Sequence, residues 1–166
     1  MVLSDKVLVL PNICGIEIDA TGIALPTQDS SLQPFYNTYV QNATAQAAYF
    51  SPSKVSFTED GKEGRSGVIY TQKLVLQFPS NDPLRVMRLE EYLKAKYISI
   101  KLSGGLVFYF GRNDYDQNSK PKVAVKSNTK ITQITYTLQS YFSVGFTNGS
   151  FDFNLSEQFP INFYNL

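Results

Sequence analysis

From Val68 to Phe78 the chain reads "VIYTQKLVLQF", and its apolar residues keep to every second position. Val68, Tyr70, Leu74, Leu76 and Phe78 share one parity, interrupted by Gln72, while Thr71, Lys73 and Gln77 take the other. A period of two places successive side chains on opposite faces of an extended chain, which predicts a strand with one buried and one wet face. The pattern returns over Ile131–Phe142, where Ile134, Tyr136 and Leu138 alternate with Thr135, Thr137 and Gln139. Two such one-sided strands call for a sheet lying on a core.

Other segments supply its neighbours. Val55–Thr58 is expected to pair with Val68–Phe78 across the loop "EDGKEGRSG". Lys6–Leu10 and Ile13–Asp19 read as short strands separated by Pro11-Asn12 and forming one edge of the fold. "KYISIKLSGGLVFYFG", Lys96 to Gly111, reads as a hairpin. Ile98, Ile100 and Leu102 share a side, Gly104-Gly105 makes a two-residue turn, and the return strand Leu106–Phe110, apolar on both faces, is expected to be central or covered. Lys122–Lys126 and Phe151–Leu155 complete the strands, with turn signals at Ser127-Asn128 and Asn148-Gly149. Ala20–Gln33 has neither periodicity and reads as a loop or extended arm. "NATAQAAYF" is suited to a short helix after Asn42.

After Pro79 the spacing changes. "SNDPLRVMRLEEYLKAK" has Asp82 as N-cap, Pro83 in the first helical position and Val86, Leu89 and Leu93 three and four apart, so an amphipathic helix over about 82–95 is expected to pack on the sheet. The resulting class is α+β and mostly β: an antiparallel, sandwich-like core with one helix. With 166 residues, 43% of them hydrophobic, the expectation is a single domain spanning 1–166, with the arm at about 20–33 and a docking C-terminal tail at about 157–166.

Composition removes several chemistries. The chain has no histidine and a single cysteine, so the usual zinc and haem ligand sets and an internal disulfide cannot be assembled. Cys14, between apolar neighbours, reads as a buried small hydrophobe. Fifteen basic against 14 acidic residues give a net charge of +1 without a like-charge block, which argues against nucleic acid as the main partner. The N-terminus lacks the basic region and longer apolar core of a secretion signal, leaving the N-x-[ST] matches at Asn42, Asn148 and Asn154 little meaning. No stretch approaches the roughly 20 apolar residues that span a bilayer, and no membrane partner is expected.

Motifs fare no better. "DYDQNS" spaces Asp114, Asp116 and Asn118 like the opening of a calcium loop, but Ser119 and Val125 stand where glycine and a bidentate glutamate belong, so a solvated loop is the better reading. Glu17, Asp19, Glu59, Asp60, Glu90 and Glu91 contain no marked catalytic pair, and "EDGKEGRSG" lacks the phosphate-cradling pattern and its following helix. Neither enzymatic activity nor a cofactor is expected. The 12 phenylalanines and 11 tyrosines belong mostly to the core, and those least suited to it are Tyr115, Tyr141 and the aromatics of the final "NFYNL".

In order, "VSFTEDGKEGRSGVIYTQKLVLQFP", the helix, "YISIKLSGGLVFYFG" and "KPKVAVKSNTKITQITYTLQSYF" resemble a family of small tail or neck structural proteins of tailed bacteriophages and prophages, over roughly Val55 to Phe142. Glu59, Gly64, Gly104-Gly105, Gly111, Pro121 and "ITYTLQSYF" stand at the family's turn and strand positions. "RNDYDQNSK" is longer than the family's link, and "SNTKITQ" lacks its glycine. The resemblance implies a non-enzymatic tail-tube-like, tail-completion or terminator subunit, assembled in the host cytoplasm into a ring of its own copies that joins other tail or neck proteins of the virion. The expected interface is the charged loop, with Glu59, Asp60, Lys62, Glu63 and Arg65, together with the tail residues Phe159, Phe163 and Tyr164. The rival reading is a carbohydrate-binding or adhesive β-sandwich module using exposed tyrosines and asparagines.

Overall fold

A computed structural model describes residues 12–20, 45–117 and 119–144. The expectations for Lys6–Leu10, Phe151–Leu155, Asn148-Gly149, the arm at 20–33 beyond Ala20 and the tail at 157–166 lie outside the described residues. Within them, eight strands form two antiparallel four-stranded sheets joined by one helix, as the alternating pattern requires. The strands are β1 (Ile13–Asp19), β2 (Gln46–Ala47), β3 (Ser56–Gly64), β4 (Gly67–Pro79), β5 (Tyr97–Leu102), β6 (Val107–Phe110), β7 (Lys122–Ser127) and β8 (Ile131–Ser140); helix α1 (Arg85–Leu93) links β4 to β5. One sheet has the order β2-β1-β5-β6 and the other β3-β4-β8-β7.

The two alternating runs are neighbours. β4 and β8 pair over ten positions, from Tyr70 opposite Ser140 to Pro79 opposite Ile131, so Leu74, Leu76 and Phe78 share a buried face with Ile134, Tyr136 and Leu138. Ile16, Ile18, Ile98, Ile100 and Phe110 meet them from the other sheet, and burying each such side chain stabilises the fold by about 1.5–3 kcal/mol. Phe110 sits edge-on to both Phe57 of β3 and Tyr136 of β8, with ring centroids at 6.2 and 6.5 Å. Polar residues close the ends of the inward face of β8. Thr132 bonds the Ser80 hydroxyl and accepts from Arg85 Nε, and Ser140 donates to Asp114.

Several expectations are corrected. β1 is not an edge, because β2 and β5 flank it. Residues 45–50 form no helix; Gln46–Ala47 pairs with Glu17 and Ile18 instead, a pairing invisible to local helix propensity. Cys14 is exposed, because a register shift between Ile13 and Gly15 turns it outward at the end of β1. The loop "EDGKEGRSG" is mostly strand: β3 runs on to Gly64, and only Arg65 and Ser66 turn the chain. The 96–111 hairpin closes through three residues, Ser103-Gly104-Gly105, with Gly105 alone at positive φ (85°) and bonded back to the Leu102 carbonyl. Among the described residues its second strand, β6, is the outermost of its sheet and not central, though largely covered: Phe110 is fully buried and Val107 and Tyr109 are half-buried, whereas Leu106 is 47% exposed.

The helix is also shorter and differently rotated than its spacing suggests. Asp82 does not cap it: its carboxylate accepts the Leu84 N–H at 3.1 Å and pairs with Arg88, and α1 begins only at Arg85. Tyr92 and Leu89 face the core, while Val86 and Leu93 are exposed. Tyr92 decides the rotation. Its hydroxyl accepts from the Tyr49 N–H and donates to the Tyr49 carbonyl, its ring stands edge-on to Phe78, and its carbonyl receives the buried Tyr136 hydroxyl.

Candidate functional site

β8 accompanies β4 only as far as Tyr70, whereas β3 stays bonded to β4 out to Gly64 opposite Gly67. Lys62–Gly64 and Gly67–Ile69 therefore form a two-stranded arm beyond the four-stranded sheet, and residues 60–68 are all exposed. Alternation sets its faces. Glu59 and Glu63 share the side of Gln72, Tyr70 and Val68; Asp60 and Lys62 take the opposite side with Thr71 and Ile69; Arg65 is in the turn. At the root the Tyr70 ring lies over Gly61, where an added Cβ would be 3.1 Å from a ring carbon. Charge and polarity on both faces suit an edge that does not pair indiscriminately.

Glu59 differs from the other four charged residues. Its Oε2 accepts from Gln72 Nε2 and from the Val144 N–H, both at 2.8 Å, and its Oε1 accepts from the Ser143 hydroxyl at 2.6 Å. Gln72, which interrupts the apolar parity of β4, is buried for this bond and also reaches the Phe142 carbonyl at 3.4 Å. Glu59 is thus a clamp holding 142–144 under the arm, while Asp60, Lys62, Glu63 and Arg65 face water. Phe159, Phe163 and Tyr164 lie outside the described residues.

A second cluster lies where β8 ends. The link after β6 carries Arg112, Asn113 and a 3-10 turn at Asp114–Asp116. Arg112 Nε donates to both Asp114 oxygens at 3.0 and 2.9 Å, and its guanidinium stacks on the Phe142 ring at 4.4 Å. The fully buried Asn113 accepts the Gln139 N–H. Lys96 donates to the carbonyls of Gly111 and Ser119, each at 3.1 Å, holding both ends of the link. Burial pulls this ammonium down to about 8, opposed by the nearby Asp114 carboxylate. Tyr115 and Tyr141, expected to stay out of the core, are 49% and 45% exposed, with centroids 6.1 Å apart.

The acidic candidates are occupied or dispersed. Glu17 pairs with Lys101, Asp114 with Arg112, and Asp116 lies 3.7 Å from Lys122. Glu59 and Asp60 sit on a strand and not in a turn. Asn118 lies outside the described residues, and among the described residues no group of three or more histidine, cysteine or acidic side chains is placed to hold a metal. No described helix is long and apolar enough to cross a membrane. A cavity of about 270 Å³ opens between β1, β2 and α1, over Ile18, Ala47 and Tyr92. Compared with known proteins, the chain matches no family model, no curated protein and no solved structure.

Two features were hidden from sequence reasoning. The Glu59–Gln72–Val144 clamp joins residues 85 apart, and the Lys96 bonds join a helix exit to a loop. The one local signal was Gln72 itself, a polar residue standing in a buried parity.

Proposed function

We propose that this chain is a non-enzymatic structural subunit of a tailed-bacteriophage virion, a tail or neck component that builds a ring from its own copies through the β3–β4 arm. The observation that carries the reading is the arm: a strand pair extending past its sheet, charged with both signs at the exposed Lys62, Glu63 and Arg65, with Asp60 exposed at its root. A closed ring needs one surface of a subunit to meet a different surface of the next, and mixed charges on such an arm favour a fixed register. The resemblance over Val55–Phe142 supports the same reading, since the arm falls on the glycine-containing segment that it includes. The uncharged, aromatic "FPINFYNL" of the sequence belongs to the same proposal as a source of apolar anchoring. Assembly in the host cytoplasm and contact with other tail or neck proteins belong to this proposal.

Sedimentation of the full-length protein tests it. The wild type is expected to form a discrete ring, and reversing the four charges together (Asp60→Lys, Lys62→Glu, Glu63→Lys, Arg65→Glu) is expected to leave a folded monomer. A wild type that stays monomeric at all concentrations sinks the ring, and a charge-reversed variant that still assembles removes the arm from the contact.

A further inference from the structure

Tyr115 and Tyr141 come from different segments, the 3-10 turn and the residue after β8, yet their rings lie side by side at 6.1 Å, tilted by 52°. Neither hydroxyl bonds another described residue. Their spacing is set by the residues beside them. Ser140 Oγ donates to Asp114 Oδ2 at 2.9 Å, so a hydrogen bond links the two positions that precede the tyrosines. Arg112 grips the same carboxylate, Asn113 fixes the Gln139 backbone, and Lys96 ties down Gly111 and Ser119. Gln117 closes the turn at φ 56°, a left-handed conformation that a non-glycine residue keeps only where its surroundings impose it. Two exposed aromatic rings are therefore held on a rigid base before anything binds, and such preorganisation lowers the entropic cost of binding.

Size selects the class of ligand. A buried aromatic side chain covers about 150–250 Å², so two half-exposed rings offer roughly that area together. A stable protein contact takes about 800 Å² per partner. The pair, two adjoining rings tilted by 52°, matches one small ring-shaped group laid on their exposed faces. A neutral pyranose fits chemically: its C–H face packs on an aromatic ring, and its rim hydroxyls can bond the two phenols and the polar side chains of Asp116 and Gln117 on the same turn. We infer that Tyr115 and Tyr141 form a saccharide-stacking site for a neutral pyranoside, independent of the arm.

Saturation-transfer NMR on the full-length protein tests this, with cellotetraose, chitotetraose and β-1,4-galactotetraose as probes. Sorbitol, which has hydroxyls but no ring face, is the control. Transfer to ring C–H protons of at least one oligosaccharide is expected, with none to sorbitol. Binding should weaken about tenfold or more in Tyr115→Ala and in Tyr141→Ala, and persist in Tyr115→Phe, which keeps the ring. The variants should keep the wild-type thermal midpoint, since both side chains are half exposed. No transfer to any of the three oligosaccharides, transfer equal to that of sorbitol, or binding indifferent to both alanines overturns the site. Alanine variants that bind no saccharide differently but change the oligomeric state assign the pair to a protein contact and overturn it as well.

Discussion

Single residues carry unequal shares of this fold, and three of them make testable contrasts. Phe110 has no exposed surface and lies between Phe57 and Tyr136, so Phe110→Ala should destabilise by about 3–5 kcal/mol in urea unfolding; a loss under about 1 kcal/mol would mean the two sheets do not meet there. Gly111 has φ 141°, and a Cβ there would stand 2.6 Å from the Lys96 carbonyl oxygen. Gly111→Ala should therefore unfold the link before β7, whereas Gly104→Ala, with open space around it, should leave stability nearly unchanged. Lys96 titrates the molecule. Because burial lowers its folded pKa to about 8 from 10.5, the unfolded chain holds more protons between those values, and stability should rise with pH across that window. Tyr92, Tyr109 and Tyr136 act in the opposite sense: burial raises their pKa values, so the folded chain keeps protons that the unfolded one loses, and stability should fall above pH 10. Unfolding free energy measured from pH 7 to 11 should pass through a maximum, and Lys96→Met should remove the rising limb. A rise that survives in that variant belongs to another group.

At the scale of elements, what could be read in the sequence was what one strand says about itself. The parities of β4 and β8 identify their buried faces because burial against a core imposes a period of two on each strand separately. The outer half of β3 is wet on both faces, so no alternation marks it, and "EDGKEGRSG" resembles a loop until its register with β4 is known. β6 is apolar throughout and still the outermost strand of its sheet among the described residues, since hydrophobicity does not state how many neighbours a strand has. In α1 the three-four spacing of Val86, Leu89 and Leu93 competes with that of Arg85, Arg88, Leu89 and Tyr92; the second wins through Tyr49, Thr132 and Tyr136, none of them local. The candidate site was legible to the same extent: the charged residues in and beside the arm and two exposed tyrosines were visible, while the Glu59 clamp and the bonds of Arg112, Asn113 and Ser140 that fix the segments carrying them were not. The Glu59 clamp is the element-scale test. Glu59→Ala leaves the buried Gln72 amide and the Val144 N–H without their carboxylate partner, and hydrogen exchange at Val144 should accelerate strongly while amides of β8 stay protected. Unchanged exchange at Val144 would show that something else closes that end of the core.

For the whole molecule, the proposed ring assigns register to the charges of the arm and apolar anchoring to the aromatic tail, so assembly should depend on both. Deleting Phe159–Leu166 is expected to abolish the ring and leave a folded monomer by sedimentation and circular dichroism; normal assembly of the truncated chain excludes the tail from the contact, and unfolding assigns it to the core. The arm also has a mechanical consequence. Its hydrogen bonds lie across the strand axes, and β4 continues without a break from the arm into ten paired positions with β8. A load applied at Arg65 along that axis is shared by the whole ladder in shear and does not peel it bond by bond. A subunit gripped by its arm would pass tension straight into the sheet that carries its core, and would yield only when the entire strand slipped at once.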